Sequence, residues 1–87
     1  MPDSHTAIAK KIVELIHAER KRRNWSQETL AVAADVSNSC VRHLEHGRST
    51  PTFVNLLKLA DALDLDFAAL LQTARHAVGG KRPRARS

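Results

Sequence analysis

The sequence is poor in the residues that cross-link a chain or build an aromatic core. Its 87 residues include one cysteine, three glycines, one tryptophan, two phenylalanines and no tyrosine. A single cysteine cannot form an internal disulfide, which argues against a disulfide-stabilised secreted scaffold. Because 43% of the residues are hydrophobic and few are aromatic, we expect one domain of packed helices with an aliphatic, alanine-rich core, near the lower size limit for independent folding.

Long apolar segments are also missing. The chain has no run of about 18 apolar residues, the length that a membrane-spanning helix needs. Its N-terminal region is amphipathic and cationic and has no apolar centre of the kind found in signal peptides. We therefore expect a cytoplasmic protein.

Acidic residues are absent from the C-terminal end. Residues 79–87 carry four basic side chains and no acid, whereas residues 1–78 carry ten basic and nine acidic ones, for a formal net charge of +5 in total. A segment this polar cannot bury enough surface to fold. We expect a folded domain over residues 1–78 and a disordered basic tail over 79–87, which would add salt-sensitive attraction to a polyanion.

The side chains of an enzyme or a metal site are not apparent either. No nucleophile is paired with a base, and no glycine-rich phosphate loop is present. His43 and His46 stand three residues apart, but no cysteine pair or carboxylate cluster accompanies them. We expect no catalytic activity, no metal and no cofactor.

The most informative stretch is residues 26–47, which predicts two short helices joined by a tight turn. Ser26 and Ser37 are each placed to cap the first turn of a helix with the side-chain oxygen. The connection over residues 34–37 has the length used in a helix-turn-helix. Gly47 supplies the left-handed residue that ends the second helix.

The second of these helices has a short apolar face and a larger polar one. Val41 and Leu44 point inward, while the opposite side carries groups that donate hydrogen bonds to base edges. Arginine and asparagine can each bond a base through two atoms, so Arg42 and Asn38 are the most specific candidates. A plain solvated helix surface is the alternative explanation. The predicted base-reading residues are Asn38, Ser39, Arg42 and His43.

Apolar periodicity predicts three further helices. One covers residues 6–22 and stops at Asn24, since asparagine is the second choice after glycine for a left-handed stop. The others cover approximately residues 53–63 and 67–76. With the two central helices, the expected fold is all-α with five helices.

The central stretch follows a recurring pattern, Ser26-Gln27-Glu28-x-Leu30-Ala31, then Val36-Ser37, Val41, Leu44-Glu45-x-Gly47 and Pro51. This pattern resembles the Cro/C1-type, or XRE, family of helix-turn-helix regulators, which includes phage repressors and restriction–modification controller proteins. The resemblance covers roughly residues 8–72. Asp35 and Asp64 depart from the family pattern, since they stand where glycine is usual, and aspartate tolerates left-handed geometry at some cost.

The resemblance implies a lambda-repressor-like domain that binds double-stranded DNA in a sequence-specific manner and regulates transcription. Its third helix would read the major groove, and a homodimer would bind an inverted-repeat operator. Gln27 opens the second helix, where it and the free backbone N–H groups can hold a phosphate. Further phosphate contacts are expected at Ser37 and in the loop after the reading helix, although that loop could equally be solvated. The loop residues are Arg48, Ser49 and Thr50.

Three expectations concern structure around this face. Glu45 lies at the unfavourable end of its helix dipole, and in related proteins an arginine at the position of Arg20 pairs with it, so we expect a partly buried Arg20–Glu45 ion pair. Cys40 is expected to be half-buried and inert, with a redox role as the alternative. In controller proteins the last helix forms the dimer, which makes Leu71 and Ala74 candidate interface residues.

A second class of function remains open at the level of sequence. The same fold can serve as a protein-interaction module, such as an antitoxin or a bridging factor, with a toxin or RNA polymerase as partner. Co-purification with a second small protein would distinguish this class from a regulator that acts alone.

Overall fold

The computed structural model describes residues 4–79, and this part of the chain consists of five helices without a strand. The all-α, five-helix prediction is confirmed. The helices are α1 (Ser4–Arg22), α2 (Gln27–Ala34), α3 (Asn38–Glu45), α4 (Phe53–Ala62) and α5 (Phe67–Gly79).

Polar side chains cap the helices that follow α1. The backbone N–H of Thr29 donates to Ser26 Oγ at 3.0 Å, and that of Cys40 donates to Ser37 Oγ at 2.9 Å. Thr52 and Asp66 make the same type of bond at the starts of α4 and α5. Each cap satisfies a backbone donor that has no partner within its helix, so these residues set where each helix begins.

Four helix ends share one geometry. Each has a left-handed residue with φ between 58° and 70°, followed by a residue whose N–H bonds back to the last turn, as in Val36 N–H to Ala31 O at 3.0 Å. Only one of the four is glycine. Gly47 has no atom within 4 Å of where a Cβ would lie, so its positive φ and not space is what favours glycine there. The left-handed residues are Asn24, Asp35, Gly47 and Asp64.

The core is aliphatic. Helix α1 packs most extensively along α5, and α2 packs against both α3 and α4. Ile12 and Ile16 of α1 lie at the centre, each 2% exposed. The other buried apolar residues are Leu30, Ala31, Ala34, Val41, Leu44, Leu56, Leu59, Ala60, Leu63 and Ala74.

The structure corrects the expected helix limits and one interface residue. Helix α1 begins at Ser4, and α5 continues to Gly79, which we had assigned to the tail. Ala74 is 0% exposed within the single chain, so its side chain completes the core and cannot face a partner. Residues 80–87 of the basic tail lie outside the described residues. None of the helices over 4–79 has the length and apolar character needed to cross a membrane.

Candidate nucleic-acid interface

Helices α2 and α3 are joined by a tight turn and pack against each other. Asp35 ends α2 in the left-handed conformation and Ser37 caps α3, so only three residues connect the two helices. Val41 is 1% and Leu44 6% exposed, and both belong to the core cluster. Because these core residues occupy only one side of the eight-residue α3, the opposite side of the helix faces outward.

The outward side of α3 carries the four predicted base-reading residues. All four side chains are exposed. Within residues 4–79, none of them makes a hydrogen bond or ion pair with another side chain. Their donors and acceptors are therefore available to an external partner. The residues are Asn38, Ser39, Arg42 and His43.

The loop after α3 continues this open surface. Arg48, Ser49 and Thr50 are exposed, and their side chains have no hydrogen-bonding partner in the part of the chain that the structure describes. Ser37 is different, since its oxygen accepts the bond that caps α3. Its hydroxyl hydrogen is not used by that bond, so a phosphate could still accept from it.

Gln27 is not a free side chain. Its Nε2 donates to Glu45 Oε1 at 2.9 Å, and the residue is half-buried. An amide nitrogen carries two hydrogens, and one remains for a second acceptor. The structure thus places the predicted phosphate contact beside α3 and holds it there through Glu45.

Glu45 is the centre of a polar network that joins three helices. Arg20 of α1 donates to both carboxylate oxygens, Nε to Oε2 at 2.8 Å and Nη2 to Oε1 at 3.0 Å. The third guanidinium nitrogen donates to the carbonyl of Trp25 at 2.6 Å. His17 Nδ1 lies 3.5 Å from Oε1 of the same carboxylate. The two residues that we expected to pair thus lie together, with Arg20 9% exposed.

The surroundings of Glu45 act on its pKa in opposite directions. Burial raises the pKa, while the hydrogen bonds from Arg20 and Gln27 and the nearby His17 lower it. The balance keeps the pKa of Glu45 below its ordinary value. The carboxylate is therefore ionised wherever the domain is folded near neutral pH, and it can accept all of these bonds.

The cluster of cations over residues 20–23 is mostly committed to internal contacts. Arg22 and Arg23 both bond the carboxylate of Glu19, at 2.6 and 2.8 Å for the shortest contacts. These bonds lower the pKa of Glu19 to about 2. Arg23 also donates to the carbonyl of Leu63 and stacks on the Trp25 ring, 5.6 Å from its centroid. Of the four, only exposed Lys21 has no such contact within residues 4–79.

The structure also locates Cys40, the metal-binding types of side chain and Leu71. Cys40 is half-buried against the core, and Asn55 Nδ2 lies 3.6 Å from its sulfur. Within residues 4–79, no three metal-binding side chains come together. Leu71 is half-buried and packs against the core cluster.

A surface that the sequence did not indicate lies on the first turn of α4. Phe53 is 64% and Val54 59% exposed. The Phe53 ring meets Phe67 of α5 edge to face, with centroids 5.6 Å apart. Phe53 follows the loop over residues 48–51 after the capping residue Thr52. Apolar periodicity alone could not reveal this surface, since it predicts a helix but not how much of each helix face is covered by neighbouring elements.

A capped pair of short helices whose second helix exposes its polar side is typical of a helix-turn-helix DNA-binding domain. A family model for the helix-turn-helix matches residues 16–70 of the chain. The chain therefore belongs to the Cro/C1-type, or XRE, family of helix-turn-helix regulators.

One relative among the known proteins is the HTH-type transcriptional regulator SutR of Escherichia coli (strain K12). It is 33% identical over 58 residues, which are 67% of this chain and 33% of the relative. The matched part thus spans about a third of that protein's length. The comparison with solved structures found no match.

Proposed function

We propose that this domain binds double-stranded DNA in a sequence-specific manner and regulates transcription as a homodimer. The proposal rests chiefly on α3, whose inner side is fixed in the core while four polar side chains on the outside have no side-chain partner within residues 4–79. A helix of this size fits the major groove of B-DNA. There Arg42 would pair with a guanine and Asn38 with an adenine, each through two hydrogen bonds.

The DNA backbone would be held on either side of α3. Gln27, with one amide hydrogen free, and the N–H groups at the start of α2 would meet one phosphate. Ser37 would add a hydroxyl contact, and the loop over residues 48–50 would follow the backbone beyond the groove. Such contacts orient the domain but carry no base information. The basic residues after Gly80 would add sequence-independent attraction, and we expect the protein to act at the nucleoid, in the cytoplasm.

The apolar surface formed by Phe53 and Val54 supports the homodimer. Its occupant in this proposal is the same surface of a second copy, because it directly follows the loop that we place on the DNA backbone. A two-fold axis there would bring both loops to the centre of an inverted repeat. It would set the two α3 helices about one DNA turn, ~34 Å, apart. Leu71, which is half-buried against the core cluster, remains a second candidate residue for the dimer interface.

Selection of bound duplexes from a random pool tests the DNA-reading function. At about 0.15 M salt, non-specific attraction is largely screened, and we expect an enriched inverted repeat. If correctly folded protein enriches no sequence, α3 does not read DNA, and a protein-interaction role such as that of an antitoxin would take its place.

The dimer is tested by matched substitutions. We expect Val54→Glu to shift the protein to monomer in sedimentation and to weaken binding to the full repeat more than to a half-site. Val32→Glu is the control, since Val32 is also an exposed valine, on α2 and 75% exposed. A protein that is monomeric on its operator would contradict this part of the proposal.

A further inference from the structure

A groove of about 320 Å³ runs between α1 and the segment that leaves α3. Val13 and Leu44 supply apolar surface, and Pro51 extends it at the loop end. The volume falls at the lower end of the range for small-molecule sites, ~300–1,000 Å³. The groove lies beside the base-reading face and does not include any of its four residues.

The carboxylates that line the groove have ionic partners within residues 4–79, whereas two of its cations do not. Its two carboxylates are already paired, Glu14 with Lys11 at 3.3 Å and Glu45 with Arg20 at 2.8 Å. Lys10 and Arg48 also line the groove. Both are exposed, and neither side chain has an ionic partner within residues 4–79. The groove thus presents two cations that have no ion pair within residues 4–79, beside its apolar surface.

We propose that this groove binds a small amphipathic anion, such as an aryl or alkyl carboxylate. The apolar body lies against Val13 and Leu44, and the carboxylate is met by Lys10 and Arg48. Neutral compounds of the same shape lack the ionic contribution, and cationic ones are repelled by the same two residues. Charge complementarity and the mixed lining thus define the class of ligand.

Occupation of the groove would regulate DNA binding. This half of the inference rests on the proposed function, in which Arg48 contacts the DNA backbone. A carboxylate bound in the groove competes with phosphate for the Arg48 side chain. The ligand-bound domain therefore has lower affinity for its operator than the free domain.

The site itself is tested on the full chain without DNA, with phenylbutyrate as probe and the neutral phenylbutyramide as its matched compound. We expect saturable changes in the backbone amide signals of Val13, Leu44 and Thr50. Lys10→Glu should weaken phenylbutyrate binding roughly five- to tenfold, because an exposed attraction becomes a repulsion. Lys21→Glu, the same charge change on the same helix but outside the groove, should leave it unaltered.

Three results would overturn the site. They are equal binding of the neutral amide, equal weakening by Lys21→Glu, or signal changes confined to the Phe53 and Val54 surface. The spectra also show whether each variant is folded, so that loss of binding cannot be mistaken for unfolding.

The regulatory half is tested by measuring operator affinity with and without saturating phenylbutyrate. We expect lower affinity for the unmodified protein and a smaller effect for Lys10→Glu. An affinity that does not change, with the groove occupied, would overturn regulation through this site. A protein that binds no operator at all would instead overturn the proposed function, and the binding test without DNA would still decide the groove.

Discussion

The outward side of α3 and its C-terminal end use polar residues in opposite ways. On the outward side of α3, Asn38 and Arg42 are exposed and unpartnered within residues 4–79. At its C-terminus, Glu45 is 4% exposed and accepts bonds from two other helices. A helix that must present free donors to an outside partner gains little stability from them. The difference shows that the fold orients the outward side of α3 by fixing its C-terminal end through the bonds to Glu45.

Gln27 belongs both to the hydrogen-bond network of Glu45 and to the proposed DNA-binding surface. Its side chain is bonded to Glu45, yet it stands at the start of α2, where a phosphate is expected. Glu45, at the C-terminal end of α3, therefore also positions one of the contacts that we assign to the DNA backbone. Substitutions can separate these roles, because a structural contact changes folding stability and a reading contact changes sequence preference.

The largest effect is expected from Glu45→Ala. The substitution leaves Arg20 buried without a counter-charge, which typically costs about 3–5 kcal/mol. Urea unfolding would measure the loss. Glu14→Ala is the matched control, because the Glu14 side chain is 67% exposed and its pair contributes roughly 0.5 kcal/mol or less.

Removal of both charges should cost less than removal of one. The double variant Arg20→Met and Glu45→Leu strands no ion, so we expect it to be more stable than Glu45→Ala. A double variant that is less stable than either single variant would contradict the assignment of the network as a buried ion pair.

Arg42→Ala should leave folding stability unaltered and reduce base discrimination. We expect the loss of ~1–3 kcal/mol at one base pair of the operator. Competition between duplexes that differ at single positions would measure it, with Arg75→Ala, an exposed arginine on α5, as control. Equal weakening on every duplex would make Arg42 a phosphate contact.

Gln27→Ala should give a smaller effect that appears in both assays. One hydrogen bond to a charged group is lost in the folded protein, about 1–2 kcal/mol, and binding to all duplexes should weaken alike. Gln72→Ala, an exposed glutamine on α5, should change neither. A change in preference among sequences would instead place Gln27 among the base-reading residues.

Acid should lower the folding stability that Glu19 and Glu45 contribute, and this loss should not occur near neutral pH. The pKa values of Glu19 and Glu45 lie below their ordinary value of 4.5 in the folded chain, so the unfolded chain binds more protons in this range. The stability that these carboxylates contribute is therefore complete above pH 4.5 and is lost as the pH falls toward 2. Urea unfolding against pH would show the slope, and Glu45→Gln should reduce it. Stability that rises on acidification would contradict these assignments.

Much of the fold could be predicted from local chemistry. The helix starts at Ser26 and Ser37 and the left-handed stops at Asn24 and Gly47 depend on a few neighbouring residues, and they occur where expected. The end of α5 was less predictable. Gly79 lowers helix propensity, yet α5, which packs along α1, continues to that residue.

By itself, then, the sequence determined five helices, the turn between α2 and α3, and which side of α3 faces inward, because caps, stops and apolar periodicity act over a few residues. Only the tertiary structure decided how far each surface is covered. It buried Ala74, left Phe53 and Val54 exposed, and brought Gln27 to Glu45 from eighteen residues away. These outcomes depend on how separate helices pack, which no local pattern specifies.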